Sequence, residues 1–184
     1  MDKGKIVELN DLAEIISGLK KKNKKVVLSH GVFDLLHIGH IRHFKSAKKF
    51  GDILVTTITP DKYVNKGPHR PAFNEKLRAE AIAALDDVDY VAVNKWPTSV
   101  NTIKLLKPDI YIKGMDYKNP EDDYTGGILL EEEAIKEVGG DLKFTDEITF
   151  SSSNLLNKYF EVIPETARNY LSEFSKRHAP EEIV

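Results

Sequence analysis

The sequence predicts an α/β fold: a doubly wound, Rossmann-like parallel sheet of about five strands with flanking helices. Short apolar or β-branched runs alternate with segments whose apolar residues recur every three or four positions. Strands joined through crossover helices pair in parallel, and such a sheet needs cover on both faces. The chain's 184 residues, 41% of them apolar, suffice for one compact core of this kind.

The elements follow in order. A helix over Leu9 to Leu19 places Leu12, Ile15, Ile16 and Leu19 at helical spacing and leads into the first strand, Val26-Val27-Leu28, which Ser29-His30-Gly31 ends. From Ile38 to Phe50, Ile41, Phe44 and Ala47 mark a helix that Gly51 stops. Ile53 to Ile58 is β-branched, the second strand. Asn74 caps a helix with Leu77, Ala81, Ala84 and Leu85 on one side, and Val88 to Val93 is the third strand. Thr98 or Ser99 opens a helix bearing Val100, Ile103 and Leu106, closed by Pro108. Ile110-Tyr111-Ile112 is the fourth strand, Ile128 to Val138 a helix stopped by Gly139-Gly140, and Leu142 to Phe144 the fifth strand. Pro164 to His178 forms a last helix, with Ala167, Tyr170, Leu171 and Phe174 on one face. The expected organisation is an N-terminal helix and lysine-rich turn (1–24), a central domain (25–160) and a C-terminal helix (161–184) that serves packing, a dimer contact or a link.

Composition narrows the function classes. Lysine and arginine total 27 against 29 acidic residues, a net charge of -2 that does not suit a general nucleic-acid binder. No apolar run approaches the roughly 20 residues of a membrane span. Met1 to Lys5 lacks the apolar stretch of a secretory signal. The absence of cysteine excludes disulfides, thiol catalysis and cysteine-ligated metals. No nucleic-acid or membrane partner is expected, and the location expected is cytoplasmic. The five lysines between Lys20 and Lys25 read as a solvated helix end and turn. The ten acidic residues from Glu121 to Glu147 read as a solvated loop and helix face.

Chemistry concentrates directly after the first strand, in His30-Gly31-Val32-Phe33-Asp34-Leu35-Leu36-His37-Ile38-Gly39-His40. Ligands of parallel α/β sheets bind beyond the strands' carboxyl ends, where helix N-termini offer unpaired amides. Gly31 permits a tight turn and a close backbone approach. His37 and His40, three apart at a helix start, can point the same way, with Gly39 leaving room for a phosphate. Only Asp34 is acidic nearby, so the pair suits an anion. Zinc pairs on helices are more often four apart and need further ligands, so no protein-borne metal site is expected.

At these residues the chain resembles the HxGH nucleotidyltransferase superfamily, the cytidylyltransferase-like enzymes. Gly-Val-Phe-Asp-Leu-Leu-His-Ile-Gly-His is similar to the signature of glycerol-3-phosphate cytidylyltransferase. Lys113-Gly114-Met115-Asp116-Tyr117, and Arg70-Pro71 ahead of Leu77-Arg78, look most like the adenylyltransferase domain of ADP-heptose synthase. The resemblance covers about Leu9 to Tyr159. One departure stands out: where the superfamily often has Arg-Thr-x-Gly-Ile-Ser-Thr-Thr, this chain reads Asp146-Glu147-Ile148-Thr149-Phe150-Ser151-Ser152-Ser153, keeping the hydroxyls without the arginine. The heptose enzymes also tend to lack it. A plain serine-rich helix cap is the alternative for that stretch.

The resemblance implies attack by a substrate phosphate oxygen on the α-phosphorus of a nucleoside triphosphate, releasing pyrophosphate. Gly31, Val32, Phe33, Asp34 and Gly39 would line the nucleotide together with the catalytic His37 and His40. Lys113, Gly114 and Asp116 would lie near base or ribose, and Ser151, Ser152 and Ser153 would hold the β- and γ-phosphates. Lys66, also a catalytic candidate, would grip the substrate phosphate with Arg70 and Arg78. Mg²⁺ would accompany the triphosphate as cofactor. The implied partners are ATP or CTP and a small phosphorylated metabolite, with heptose 1-phosphate ahead of glycerol 3-phosphate, and a possible homodimer. A regulatory nucleotide-binding module with a dead site is the reading from another class. The chain could also be one domain of a longer bifunctional protein.

Overall fold

The computed structural model describes residues 4–67, 69–117 and 127–146, together with six helical residues between 166 and 174. The chain divides into two compact units, Met1–Phe150 and Ser151–Val184. In the second, the described residues fall within the helix expected there, and Tyr170 and Phe174, one turn apart, stack with ring centroids 6.1 Å apart.

The first unit runs α1 (Leu9–Lys21), β1 (Val26–Gly31), α2 (Ile38–Lys48), β2 (Ile53–Ile58), α3 (Glu75–Ala83), β3 (Tyr90–Val93), α4 (Val100–Leu106), β4 (Ile110–Gly114), α5 (Gly127–Glu137) and β5 (Asp141–Thr145). All strand pairs are parallel, in the order β3-β2-β1-β4-β5. This is the doubly wound sheet that the alternating pattern predicts.

Strand periodicity sorts the core into two layers. On one face Val26, Leu28, Val55, Ala92 and Tyr111 meet Leu9, Leu12 and Ile16 of α1, Ile103 and Leu106 of α4, and Ala134 and Ile135 of α5. On the other, Val27, Leu54, Ile58, Val91, Ile110 and Ile112 meet Phe44 and Ala47 of α2 and Ala79, Ile82 and Ala83 of α3. Burying these side chains is the main force holding helices to sheet. The lysine run is the last turn of α1 and the turn after it, and Lys20 reaches the Lys107 carbonyl (2.8 Å) and Asp109 (3.0 Å).

Three elements differ from the sequence reading. β1 extends through Ser29, His30 and Gly31, which pair in register with Thr56, Thr57 and Ile58. A ladder needs only backbone groups, so a strand can outlast its apolar run. The third strand begins at Tyr90 instead of Val88, because Val88 still closes the turn after α3 on the Leu85 carbonyl. α3 is rotated about one residue from the expected face: it buries Arg78, Ala79, Ile82 and Ala83 and leaves Leu77 47% exposed. The cause is Arg78, whose polar head is anchored inside the unit.

Candidate active site

Strand order reverses between β1 and β4, and in open α/β sheets the crevice at such a switch point receives ligands. Gly31 ends β1 there. The expectation of a tight turn at Gly31 is corrected: Gly31 lies in β1, the left-handed residue is Phe33 (φ +48°), and the Phe33 ring packs against the position a Gly31 side chain would take. A Cβ on Gly31 would stand 3.0 Å from Phe33 Cζ. The Phe33 ring meets His40 edge-on at 5.3 Å and packs on Phe44 at 5.1 Å. Val32 contributes its carbonyl to the loop's anchoring on Arg78.

His37 is the N-cap of α2. Its Nδ1 accepts the Gly39 amide at 3.1 Å, so the neutral ring carries its proton on Nε2. The His37 and His40 rings stack with centroids 3.9 Å apart. His37 Nε2 and His40 Nδ1 are buried and have no hydrogen-bond partner, an uncommon condition for polar atoms. Burial, and then the Lys66 charge, lowers the His37 pKa below its ordinary value. His40 falls to about 3, mainly through burial, with His37, His43 and Lys66 adding to it and the Leu35 backbone opposing. Both rings are therefore neutral at pH 7, at the positive end of the α2 dipole.

The loop between β2 and α3 closes the other side. Asp34, its side chain wholly buried, pairs with Arg70 Nε and accepts the Ala72 amide at 2.5 Å. It thereby fastens the β1–α2 loop to the β2–α3 loop. Arg70 Nη2 is, like His37 Nε2, a buried donor without a partner. Lys66 is exposed, followed by Gly67 at φ +95°. Desolvation lowers its pKa, Arg70 and Arg78 reinforce the shift, and Asp34 opposes it.

Arg78 departs from the expected role of a substrate-phosphate ligand. Its guanidinium is 1% exposed and bonds the carbonyls of Phe73 (3.0 Å), Val32 and Thr59 (2.8 Å) and Asp61 Oδ1 (2.6 Å). Four of its five N–H donors are thus used inside the protein. It braces the two loops.

At the end of β4, Lys113 is buried, pairs with Glu131 Oε2 at 2.9 Å and lies 4.5 Å from the Tyr117 ring centroid. Glu131 Oε1 accepts from Ser99 Oγ at 2.6 Å, and Ser99 meets the Tyr111 hydroxyl at 2.9 Å. Burial is the first cause of a Tyr111 pKa well above the ordinary value, and the Glu131 charge the second. Gly114 closes β4, and Asp116 belongs to the short turn Met115–Tyr117. Ser151, Ser152 and Ser153 lie outside the described residues.

The histidine cluster separates into distinct environments. His30 bonds Thr57 (2.9 Å) and Thr59 (3.3 Å); burial foremost, then Lys113, lowers its pKa to about 3. His43 joins Ser29 to Thr145 one turn below His40. Glu131 corrects the reading of its run as a solvated face. No sequence signal separates it from exposed Glu133, whereas His43 stands out in sequence as one of four histidines, with His30, His37 and His40, within fourteen residues.

Among the described residues no group of three or more His, Asp or Glu side chains could hold a metal. Asp34 is committed to Arg70 and Ala72, so the donor set fits a metal ion only when phosphate oxygens bring it. No helix among these residues is long and apolar enough to cross a membrane.

A family model described as cytidylyltransferase-like matches residues 28–172. The chain belongs to that family. This cytidylyltransferase-like chain, a nucleotidyltransferase by class, is 37% identical over 160 residues to the bifunctional protein HldE of Geobacter metallireducens. It is 38% identical over 157 residues to that of Campylobacter fetus subsp. fetus. In both cases the match covers 84% of the chain and only 31% of the relative's length. Among solved structures, a lipopolysaccharide core biosynthesis protein from Thermoplasma volcanium matches with TM-score 0.55 at 30% identity, over 70% of this chain and 99% of that one. A pantoate-beta-alanine ligase from Francisella tularensis (TM-score 0.56, 14% identity, 91% and 85% covered) shares the fold.

Two consequences can be measured. Arg78→Met should destabilise the protein by about 3 kcal/mol in urea unfolding, since it strands buried carbonyls and Asp61; a substrate ligand would instead change KM at unchanged stability. His30 and His40 titrate near 3 when folded but near 6.5 when unfolded, so only the unfolded chain takes up these protons as pH falls below about 6.5. Stability is complete above that pH and declines beneath it, by at most about 1.4 kcal/mol per pH unit and histidine. The melting midpoint should fall between pH 6.5 and pH 5.

Proposed function

We propose that this protein transfers an adenylyl group from ATP to a sugar 1-phosphate, a heptose 1-phosphate first among them, releasing pyrophosphate. The observation that carries the transfer reading is the pair of buried, unpartnered ring nitrogens, His37 Nε2 and His40 Nδ1, at the N-terminus of α2. His37 Nε2–H is an unpartnered donor at a helix N-terminus, and such a donor suits a phosphate oxygen. The acceptor reading is supported by the Lys113–Tyr117 and Arg70-Pro71 motifs, by relatives named HldE, and by the Thermoplasma protein's part in lipopolysaccharide core biosynthesis.

In the proposed reaction an acceptor phosphate oxygen attacks the α-phosphorus in line as the bond to the pyrophosphate oxygen breaks. The acceptor is already anionic, so no general base is required. His37 Nε2–H donates to a non-bridging α-phosphate oxygen as charge builds there. His40, neutral and stacked on His37 with ring centroids 3.9 Å apart, holds that donor ring in place. Lys66 and Arg70 Nη2 hold the acceptor phosphate. Mg²⁺ carried in with the triphosphate would supply charge neutralisation, with no ligand needed from Asp34, which is committed to Arg70 and Ala72.

Pyrophosphate release should be measured with Mg²⁺ and each of four nucleoside triphosphates against heptose 1-phosphate, glycerol 3-phosphate and other phosphorylated metabolites. Turnover with ATP and a sugar 1-phosphate is expected; turnover with CTP alone would reassign the protein to cytidylyl transfer. His37→Ala should lower kcat by about 100-fold or more while leaving nucleotide affinity nearly unchanged. Equal loss of both would contradict the assigned role.

A further inference from the structure

The apolar core on the α2 face of the sheet borders one polar layer. Within it Ser29, Thr56, His43 and Thr145 are polar, and Ser29 and Thr56 are register partners on neighbouring strands. His43 Nε2 lies 2.9 Å from Ser29 Oγ, and His43 Nδ1 lies 3.0 Å from Thr145 Oγ1. Thr145 Oγ1 donates onward to the Lys113 carbonyl at 3.4 Å. With that proton committed, Thr145 accepts from His43 Nδ1–H, and Nε2 accepts from the Ser29 hydroxyl. One imidazole thus joins α2 to β1, to the end of β5 and, through Thr145, to the exit of β4.

Such a layer is an expensive way to fill a core. Thr56 Oγ1 is buried there with no partner, and apolar side chains of similar size would fill the space without desolvating polar groups. What apolar packing would not supply is a directional tie at fixed length between elements that carry opposite walls of the crevice. α2 carries His37 and His40 on one wall; β4 delivers Lys113 and Gly114 to the other. His43 lies three residues after His40, on the same side of the helix, so a shift at His43 is transmitted to the pair above it.

We propose that His43 is a positioning residue, which through Ser29 and Thr145 fixes the spacing between the His37–His40 pair and the rim formed by the ends of β4 and β5. The inference rests on the nucleotidyl-transfer reading of the site. The nucleotide's phosphates meet the α2 wall while the rest of the molecule reaches the β4 wall, so the spacing decides whether the α-phosphorus sits where the acceptor can reach it in line. Misplacement by about 1 Å can cost on the order of 100-fold in rate.

The test replaces the polar tie by apolar packing, in Ser29→Ala/His43→Leu, and cuts its far end separately in Thr145→Val. Both proteins should melt within a few degrees of the wild type or above it. With ATP and the acceptor that the wild type uses, kcat should fall by about tenfold or more while the acceptor's KM stays within about twofold. Combining all three substitutions should lower kcat little further, because the residues act as one unit. His43→Gln, which can keep one of the two bonds, should recover part of the rate. Unchanged kcat in a folded variant, a lower melting point with kcat intact, or fully additive losses would each overturn the proposal. A wild type that turns over no substrate pair would overturn the transfer reading itself, and this inference with it.

Discussion

A carboxylate without exposed surface is costly unless both its oxygens are matched, and Asp34 is such a carboxylate. One oxygen takes Arg70 Nε and the other the Ala72 amide, both from the loop after β2, while Asp34 itself belongs to the loop after β1. Removing one partner of a buried ion pair costs about 3–5 kcal/mol, because the other is left charged in the interior. The two loops are therefore held as one structure, and Arg78 repeats the device underneath by gripping the carbonyls of Val32 and Thr59. Phe33 in its left-handed conformation, Lys66 and the free Nη2 of Arg70 all sit on that frame.

The frame explains how neutral histidines can serve an anion site. A charged imidazolium would attract phosphate more strongly, yet desolvation first, and the Lys66 charge with it, lowers the pKa of both His37 and His40 and favours their neutral forms. Neutral rings with fixed orientation still offer a directed donor, and His37's tautomer is set by the Gly39 amide. Positive potential comes from elsewhere, from the α2 dipole and from Lys66 at the loop's edge. The His37 ring is thus oriented by the Gly39 amide and by stacking on His40, while the positive charge sits on exposed Lys66.

How much of this could be read from sequence depended on how local the signal was. The sheet was legible because short apolar or β-branched runs alternate with segments of helical spacing from Val26 to Phe144. His37 and His40 were legible because a helix start fixes where residues three apart point. Arg78 was not: a helical arginine beside a loop reads equally well as a phosphate ligand or a brace, and only the surrounding carbonyls decide. Gly31 could be read as a turn from sequence, but it is a strand residue, and what limits it is the Phe33 ring where a Cβ would stand, not its own φ. Glu131 stands in a run of three glutamates, and its burial depends on α5 packing beside β4, which no window of sequence contains.

The charges at the crevice are unequally matched, and that gives the site a direction. Arg70 is paired with Asp34, Arg78 with Asp61 and Lys113 with Glu131. Lys66, among the described residues, has no such ion pair, and its charge is felt at both His37 and His40. Because Glu131 offsets Lys113, the β4 wall is nearly neutral and lined by Tyr117, a surface suited to the less charged part of a ligand. The α2 wall combines the helix dipole, two unpartnered ring nitrogens and an unmatched ammonium. On the transfer reading proposed above, an elongated ligand with several charges at one end would be oriented before any specific contact forms, its phosphates drawn toward α2. Placing Glu131 beneath Lys113 achieves this as much as placing Lys66 above the histidines does, since a second unmatched cation on β4 would have removed the gradient.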